Sequence, residues 1–145
     1  MEIERISLQK HGDHRGMLIA LEENRNVPFD IRRVYYLFAT KNDVHRGQHA
    51  HRHLNQMAVT LHGSVTILLD DGSGPVEVVL NDPTQGLLIG NMVWRELYDF
   101  SDDCVLMVLA DQLYDPADYI TDYAAFLREA RGMLYMEDMT ACAGG

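Results

Sequence analysis

The sequence predicts an all-β protein, an antiparallel β-barrel or jelly roll with a short C-terminal helix. Three observations carry this. Short apolar or alternating segments recur with turn signals every ten or so residues. The connections between them are rich in Gly, Pro, Asn and Asp, the residues that turn a chain. Only the last part of the chain changes to a helical period. With 145 residues, 47% of them hydrophobic, the chain is long enough for one domain with a real core. That domain is expected over 1–132, with 133–145 a loosely held tail.

The elements follow in order. Ile3 to Leu8 and Met17 to Leu21 read as short strands, with His11 to Gly16 a turn between them by its glycines. A polar connection from Glu22 to Pro28 leads into Ile31 to Ala39, rich in branched and aromatic residues. On that strand Arg33, Tyr35 and Leu37 share one face, and Val34, Tyr36 and Phe38 the other. A loop at Lys41 to Val44 precedes a histidine-bearing strand, which continues through Gln56 to Leu61 to the turn at Gly63. Ser64 to Leu69 and Val76 to Leu80 flank the hairpin connection Asp70-Asp71-Gly72-Ser73-Gly74-Pro75. Leu87 to Ile89, Val93 to Tyr98 and the near-continuous apolar run Cys104 to Ala110 complete the strands, the last expected to be buried on both faces. Asp115 can cap a helix with Pro116 at its first position. Ile120, Tyr123, Phe126, Leu127 and Ala130 then recur at helical spacing, and Gly132 is expected to stop the helix.

The stretch Arg46-Gly47-Gln48-His49-Ala50-His51-Arg52-His53-Leu54-Asn55-Gln56 carries the chemistry. On an extended backbone the two-residue period turns the rings of His49 and His51 to one face. Gln56 can join them only if an extra residue corrects the alternation, so a β-bulge is expected before it. His49, His51, Gln56 and Gly63 resemble the first motif of the cupins, small antiparallel β-barrels in which His, His and Glu hold a divalent ion. The third histidine of metal cupins comes from a second motif; the matching segment here, Leu88 to Val93, has Val93 at that position. A carboxamide is a weak ligand and valine is none, so no metal is expected. His62 has the wrong parity to substitute, and His53 lies on the motif strand itself. The histidine pair is then either a hydrogen-bonded core feature or a pair of bare imidazoles able to take and return protons.

Composition narrows the partners. A formal charge of −10 argues against nucleic acid and anionic membrane. Yet between Ile31 and Gly63 the chain carries Arg32, Arg33, Lys41, Arg46 and Arg52 against the single acid Asp43. Arginines concentrated beside a candidate site suit a compact anion such as a pyrophosphate or carboxylate, although Arg32 and Arg52 singly read as solvated strand-end residues. No apolar run approaches membrane-spanning length, and the acidic start Met1-Glu2-Ile3-Glu4-Arg5 does not resemble a signal peptide. Cys104 and Cys142 have no disulfide-framework spacing, so a cytoplasmic location is expected.

Several phrases together sharpen the resemblance: Arg32-Arg33-Val34-Tyr35-Tyr36, Arg46 to His51, Leu68-Leu69-Asp70-Asp71-Gly72, Gly90-Asn91-Met92-Val93-Trp94, Tyr98-Asp99-Phe100-Ser101 and Tyr114 to Ile120. Over about residues 3 to 128 the chain resembles the dTDP-sugar 3,4-ketoisomerases. The resemblance implies a cupin-fold homodimer with exchanged N-terminal strands, working without metal or cofactor. Its substrate would be dTDP-4-keto-6-deoxy-D-glucose, whose ketone it would move from C4 to C3 on the way to 3-amino-3,6-dideoxy sugars. It places the catalytic pair on His49 and His51, with His51 favoured as the carbon base and Tyr35 as a hydrogen-bonding or relay group. Arg33 and Arg46 are candidates for the pyrophosphate, and Gln56, Trp94, Arg15 and Arg95 for the sugar. Two other readings share these residues: a dTDP-4-keto-sugar 3,5-epimerase, and a non-catalytic module that binds a sugar or nucleotide.

Overall fold

A computed structural model describes the backbone of residues 1–143 and the side chains of residues 1–133. Two five-stranded antiparallel sheets face each other. The first has the order β1 (Arg5–Ser7), β9 (Gln85–Ile89), β6 (Gln56–His62), β11 (Val105–Ala110), β4 (Arg33–Leu37). The second has the order β12 (Tyr119–Ile120), β5 (Arg46–His51), β10 (Trp94–Tyr98), β7 (Val65–Asp70), β8 (Pro75–Leu80). A separate hairpin pairs β2 (His11–Asp13) with β3 (Gly16–Leu18), so residues expected as a turn are themselves partly strand.

The alternation of side chains builds the core. Ile67 and Leu69 of the second sheet meet Leu87, Ile89, Leu106 and Val108 of the first, closed by Phe100. Met57, Val59 and Leu109, on the opposite face of the first sheet, are covered by Val27, Phe29 and Ile31. That cover is why the run through β11 is almost wholly apolar, with only Val105 and Met107 half-buried. The outer face of the second sheet packs Ala50 and Trp94 against Ile120, Phe126 and Ala130. On β4 the row Val34, Tyr36, Phe38 faces out and is exposed, as its alternation predicts.

Three expectations change. Asp115 does cap a helical turn, its Oδ1 accepting from the amide of Ala117, but this is a single 3-10 turn, Pro116–Asp118. Ile120 is extended and pairs with Ala50, and the α-helix α1 begins at Tyr123. Gly132 does not stop it: α1 runs to Ala143, since a helical glycine costs only about 1 kcal/mol relative to alanine. Residues 133–143, expected as a loose tail, thus have helical backbone; their side chains from Leu134 onward, and the Gly144–Gly145 end, lie outside the described residues. Finally, no bulge precedes Gln56. The chain leaves the second sheet at His51, turns through 52–55, and enters the first at Gln56, so Gln56 reaches the histidines from the facing sheet.

Candidate active site

A bulge does exist, within β5 at Gln48, three residues before His51. The β5–β10 register jumps from His49 opposite Arg95 to Gly47 opposite Glu96, leaving Gln48 extra at φ 55°. The extra residue reverses the parity, so Arg46 and His49, an odd number of residues apart, both line one cavity. Gly47 makes this possible: its φ is 81°, and a Cβ there would lie 3.0 Å from the carbonyl oxygen of Arg95.

The cavity, of about 370 Å³, opens between the two sheets. Arg33, Tyr35, Gln56, Ile89 and Val108 form the wall from the first sheet. Arg46, His49, Arg95, Leu97 and Tyr119 form the wall from the second. Behind His49 lies His51, 2% exposed, with the two Nε2 atoms 3.1 Å apart. The structure thus puts His49, not His51, on the cavity wall. His49 Nδ1 donates to the carbonyl of Gly47 at 2.9 Å, and His51 Nδ1 lies 3.2 Å from Oδ2 of Asp118. Tyr119 stacks on His49 at 4.8 Å between ring centroids and meets His51 edge-on at 4.3 Å.

A second chain of bonds runs beside the first. Arg95, fully buried, donates from Nη1 to Oε1 of Gln56 at 2.5 Å and from Nη2 to the carbonyl of Val93 at 2.9 Å. With its oxygen so occupied, the Gln56 amide turns Nε2 toward Tyr35, donating to the phenol oxygen at 3.0 Å. The phenol proton is therefore left to point into the cavity. Gln56, where metal cupins place an acid, joins a cation to a phenol instead. Among the described residues no group of three or more His, Cys, Asp or Glu is placed to hold a metal ion.

The electrostatics follow from burial around a cation whose protein partners here are neutral acceptors. Burial, then Arg95 and His49, hold His51 down at about 3 despite the opposing pull of Asp118. Burial chiefly, with Arg95 adding to it, also lowers His49. Both imidazoles are therefore neutral near pH 7. Burial raises Tyr35, keeping its proton on the phenol, and Arg95 itself is lowered to about 10 by desolvation.

Of the residues expected at the site, His49, Tyr35, Arg33, Arg46, Gln56 and Arg95 line the cavity, and His51 backs it. Trp94 does not. Being adjacent to the inward Arg95, it points outward, where its ring packs on Tyr123 and Phe126 at 5.2 and 5.8 Å and its indole donates to Glu96. Arg15 is also elsewhere, exposed on the β2–β3 hairpin and paired with Asp13 at 2.7 Å. Arg52 pairs with Glu129 at 2.9 Å and faces away from the cavity lining. Sequence reasoning missed Asp118 and Tyr119. Their signal was the phrase Tyr114 to Ile120, noticed for resemblance but given no role.

The family model described as "FdtA: WxcM-like, C-terminal" matches residues 1–131. The chain is 51% identical over 126 residues to the TDP-4-oxo-6-deoxy-alpha-D-glucose-3,4-oxoisomerase of Aneurinibacillus thermoaerophilus, covering 87% of this chain and 91% of that protein. QdtA, a sugar 3,4-ketoisomerase from Thermoanaerobacterium thermosaccharolyticum solved in complex with TDP, superposes with a TM-score of 0.88 at 41% identity, covering 90% of this chain and 96% of that one. The WlaRB TDP-quinovose 3,4-ketoisomerase from Campylobacter jejuni gives 0.84 at 46% identity, covering 87% and 97%. With a family model spanning nearly its whole length and these relatives sharing its fold and much of its sequence, this chain belongs to the FdtA, WxcM-like family of cupin-fold proteins.

Proposed function

We propose that this chain is a nucleotide-sugar isomerase that moves the ketone of a TDP-linked 4-keto-6-deoxy-D-glucose from C4 to C3. One observation carries the reading. Two neutral imidazoles meet at the back of a cavity that also holds a free phenol proton and two rim arginines, in a chain 51% identical to an oxoisomerase of that substrate class. The proton balance suits these groups. The C3 proton goes to Nε2 of His49, and its bonding pair becomes the C3–C4 double bond as O4 takes the proton of Tyr35. The enediol then collapses: O3 gives its proton back to the phenolate, C3 becomes the ketone, and the histidine pair delivers a proton to C4. Arg95 offsets negative charge developing on the oxygens.

Arg33 and Arg46 are the proposed grip on the diphosphate, since guanidinium forks match phosphate oxygens. Arg33 sits over the rings of Tyr35 and Tyr114 at 5.3 and 5.7 Å, which holds it at the cavity mouth. The product would be a 3-keto sugar, the precursor of a 3-amino-3,6-dideoxy sugar, made in the cytoplasm. We further propose a homodimer that exchanges N-terminal strands, supported by the exposed row Val34, Tyr36, Phe38 and by Met17 and Leu18. Arg15, outside its own cavity, would then reach the sugar only in the partner's.

The test is direct. Incubated in D2O with TDP-4-keto-6-deoxyglucose, the protein should yield the 3-keto isomer with deuterium at the sugar ring, read by NMR. An unchanged substrate would reject the isomerase, and exchange confined to C5 would point to the 3,5-epimerase.

A further inference from the structure

The two histidines are anchored at their outer nitrogens in a way that decides what happens between their inner ones. The partner of His49 Nδ1, the Gly47 carbonyl, can only accept. The partner of His51 Nδ1 is Oδ2 of Asp118, a carboxylate 8% exposed. That carboxylate already accepts from two backbone amides, His53 at 2.9 Å to Oδ1 and Leu54 at 3.2 Å to Oδ2, so both of its oxygens already act as acceptors. Each neutral ring therefore carries its proton on Nδ1. The Nε2 atoms, 3.1 Å apart, then face each other with lone pairs and no proton between them.

We infer that Asp118 is a positioning residue for the reaction: by holding the Nδ1 proton of His51 it turns the bare Nε2 of that ring toward the bare Nε2 of His49, so that the pair takes up one proton and shares it. This rests on the isomerase reading for its consequence but not for its geometry. The proton leaving C3 bonds to the single lone pair of Nε2 of His49, and as that ring turns back toward its partner the lone pair of His51 accepts a hydrogen bond from the new N–H of the imidazolium. The carboxylate of Asp118 faces the resulting charge. A lone His49 facing Arg95 would hold that proton poorly; a second imidazole and a buried carboxylate behind it make the uptake favourable. Of the polar atoms of the described residues that touch the pair, those of Asp118 dictate the tautomer of His51. Tyr119 touches both rings through its face and edge, and Arg95 acts through its charge.

The experiment reads tautomers and rates together. In protein labelled with 15N-histidine and saturated with TDP, long-range 1H–15N spectra at neutral pH should show His49 and His51 protonated on Nδ1 and bare on Nε2. In Asp118→Asn the amide can donate to Nδ1, so His51 should switch to the Nε2-protonated form. kcat should then fall at least ~100-fold, as expected when a histidine is held in the wrong tautomer. KM and TDP affinity should change less than about threefold, and Asp118→Glu should recover part of kcat. A structural role alone would lower thermal stability in both variants without moving the tautomer. The inference is overturned if wild-type His51 carries its proton on Nε2, or if Asp118→Asn keeps kcat within threefold. Should Asp118→Asn fail to fold, the wild-type spectrum still decides. Wild-type protein with the stated tautomers but no turnover would sink the isomerase reading and leave the positioning role standing.

Discussion

The deep end of the cavity and its rim are held by different means. At the deep end the polar groups are tied to others: His49 to Gly47, His51 to Asp118, Arg95 to Gln56, Gln56 to Tyr35. These bonds orient protons, because each series starts from a group with one role: a carbonyl or carboxylate that accepts, or a guanidinium that donates. At the rim Arg33 and Arg46 have no ion pair with a carboxylate among the described residues. They keep charge available and define no proton position. A preorganised wall suits chemistry, where misplacing one hydrogen is costly, while uncommitted cations suit a handle recognised by charge.

If that division is right, substitutions at the two ends should act on different kinetic constants. His49→Asn and His51→Asn should give the largest effect, a loss of kcat on the order of 10³-fold with TDP affinity within about threefold, measured by steady-state assay and calorimetry. Loss of TDP binding in these variants would mean the deep end also binds the handle.

Arg95→Met should come next, with a loss in kcat/KM of about 10–100-fold and a shifted pH profile. The direction follows from the groups facing the pair, which are the guanidinium of Arg95, the carboxyl of Asp118 and the phenols of Tyr119 and, beyond it, Tyr35. Arg95 opposes protonation of both histidines, so its removal raises their affinity for a proton. The acidic limb of kcat/KM, where the base is lost to protonation, should move to higher pH. A profile that moved to lower pH would break the electrostatic account.

Arg46→Met and Arg33→Met should raise KM about tenfold each and leave kcat within about threefold, consistent with losing one charge-assisted bond. A loss confined to kcat would merge rim and deep end. The smallest effect belongs outside the cavity. The Tyr123 hydroxyl donates to the buried carboxylate of Asp70, which also accepts from the amides of Gly72 and Gly74. Tyr123→Phe should lower stability by about 1 kcal/mol in a denaturant melt and leave both kinetic constants unchanged.

How much of this was legible in the sequence depends on the distance between the residues involved. The strands could be read one by one because period-two alternation is a property of the local backbone, and it put Arg33 and Tyr35 on the correct face. Trp94, a candidate for the pocket, faces away from it: one residue of alternation separates the cavity from the opposite face of the sheet, and nothing local says which of Trp94 and Arg95 turns inward. A switch of sheets between His51 and Gln56 and a bulge before Gln56 bring the same residues together, so alternation does not tell them apart. The true bulge at Gln48 left no sign beyond the glycine before it.

The all-β class, the pairing of His49 with His51 on one face, and the gathering of arginines near them can all be read along the chain. These depend on neighbours along the chain, whose geometry the covalent backbone sets. Only the tertiary structure decided that Asp118, 67 residues beyond His51, supplies its Nδ1 partner, that Gln56 joins Arg95 to Tyr35 across two sheets, and that His49 rather than His51 meets the cavity. Those outcomes depend on which strands pair and which faces are buried, a choice made by the whole core at once.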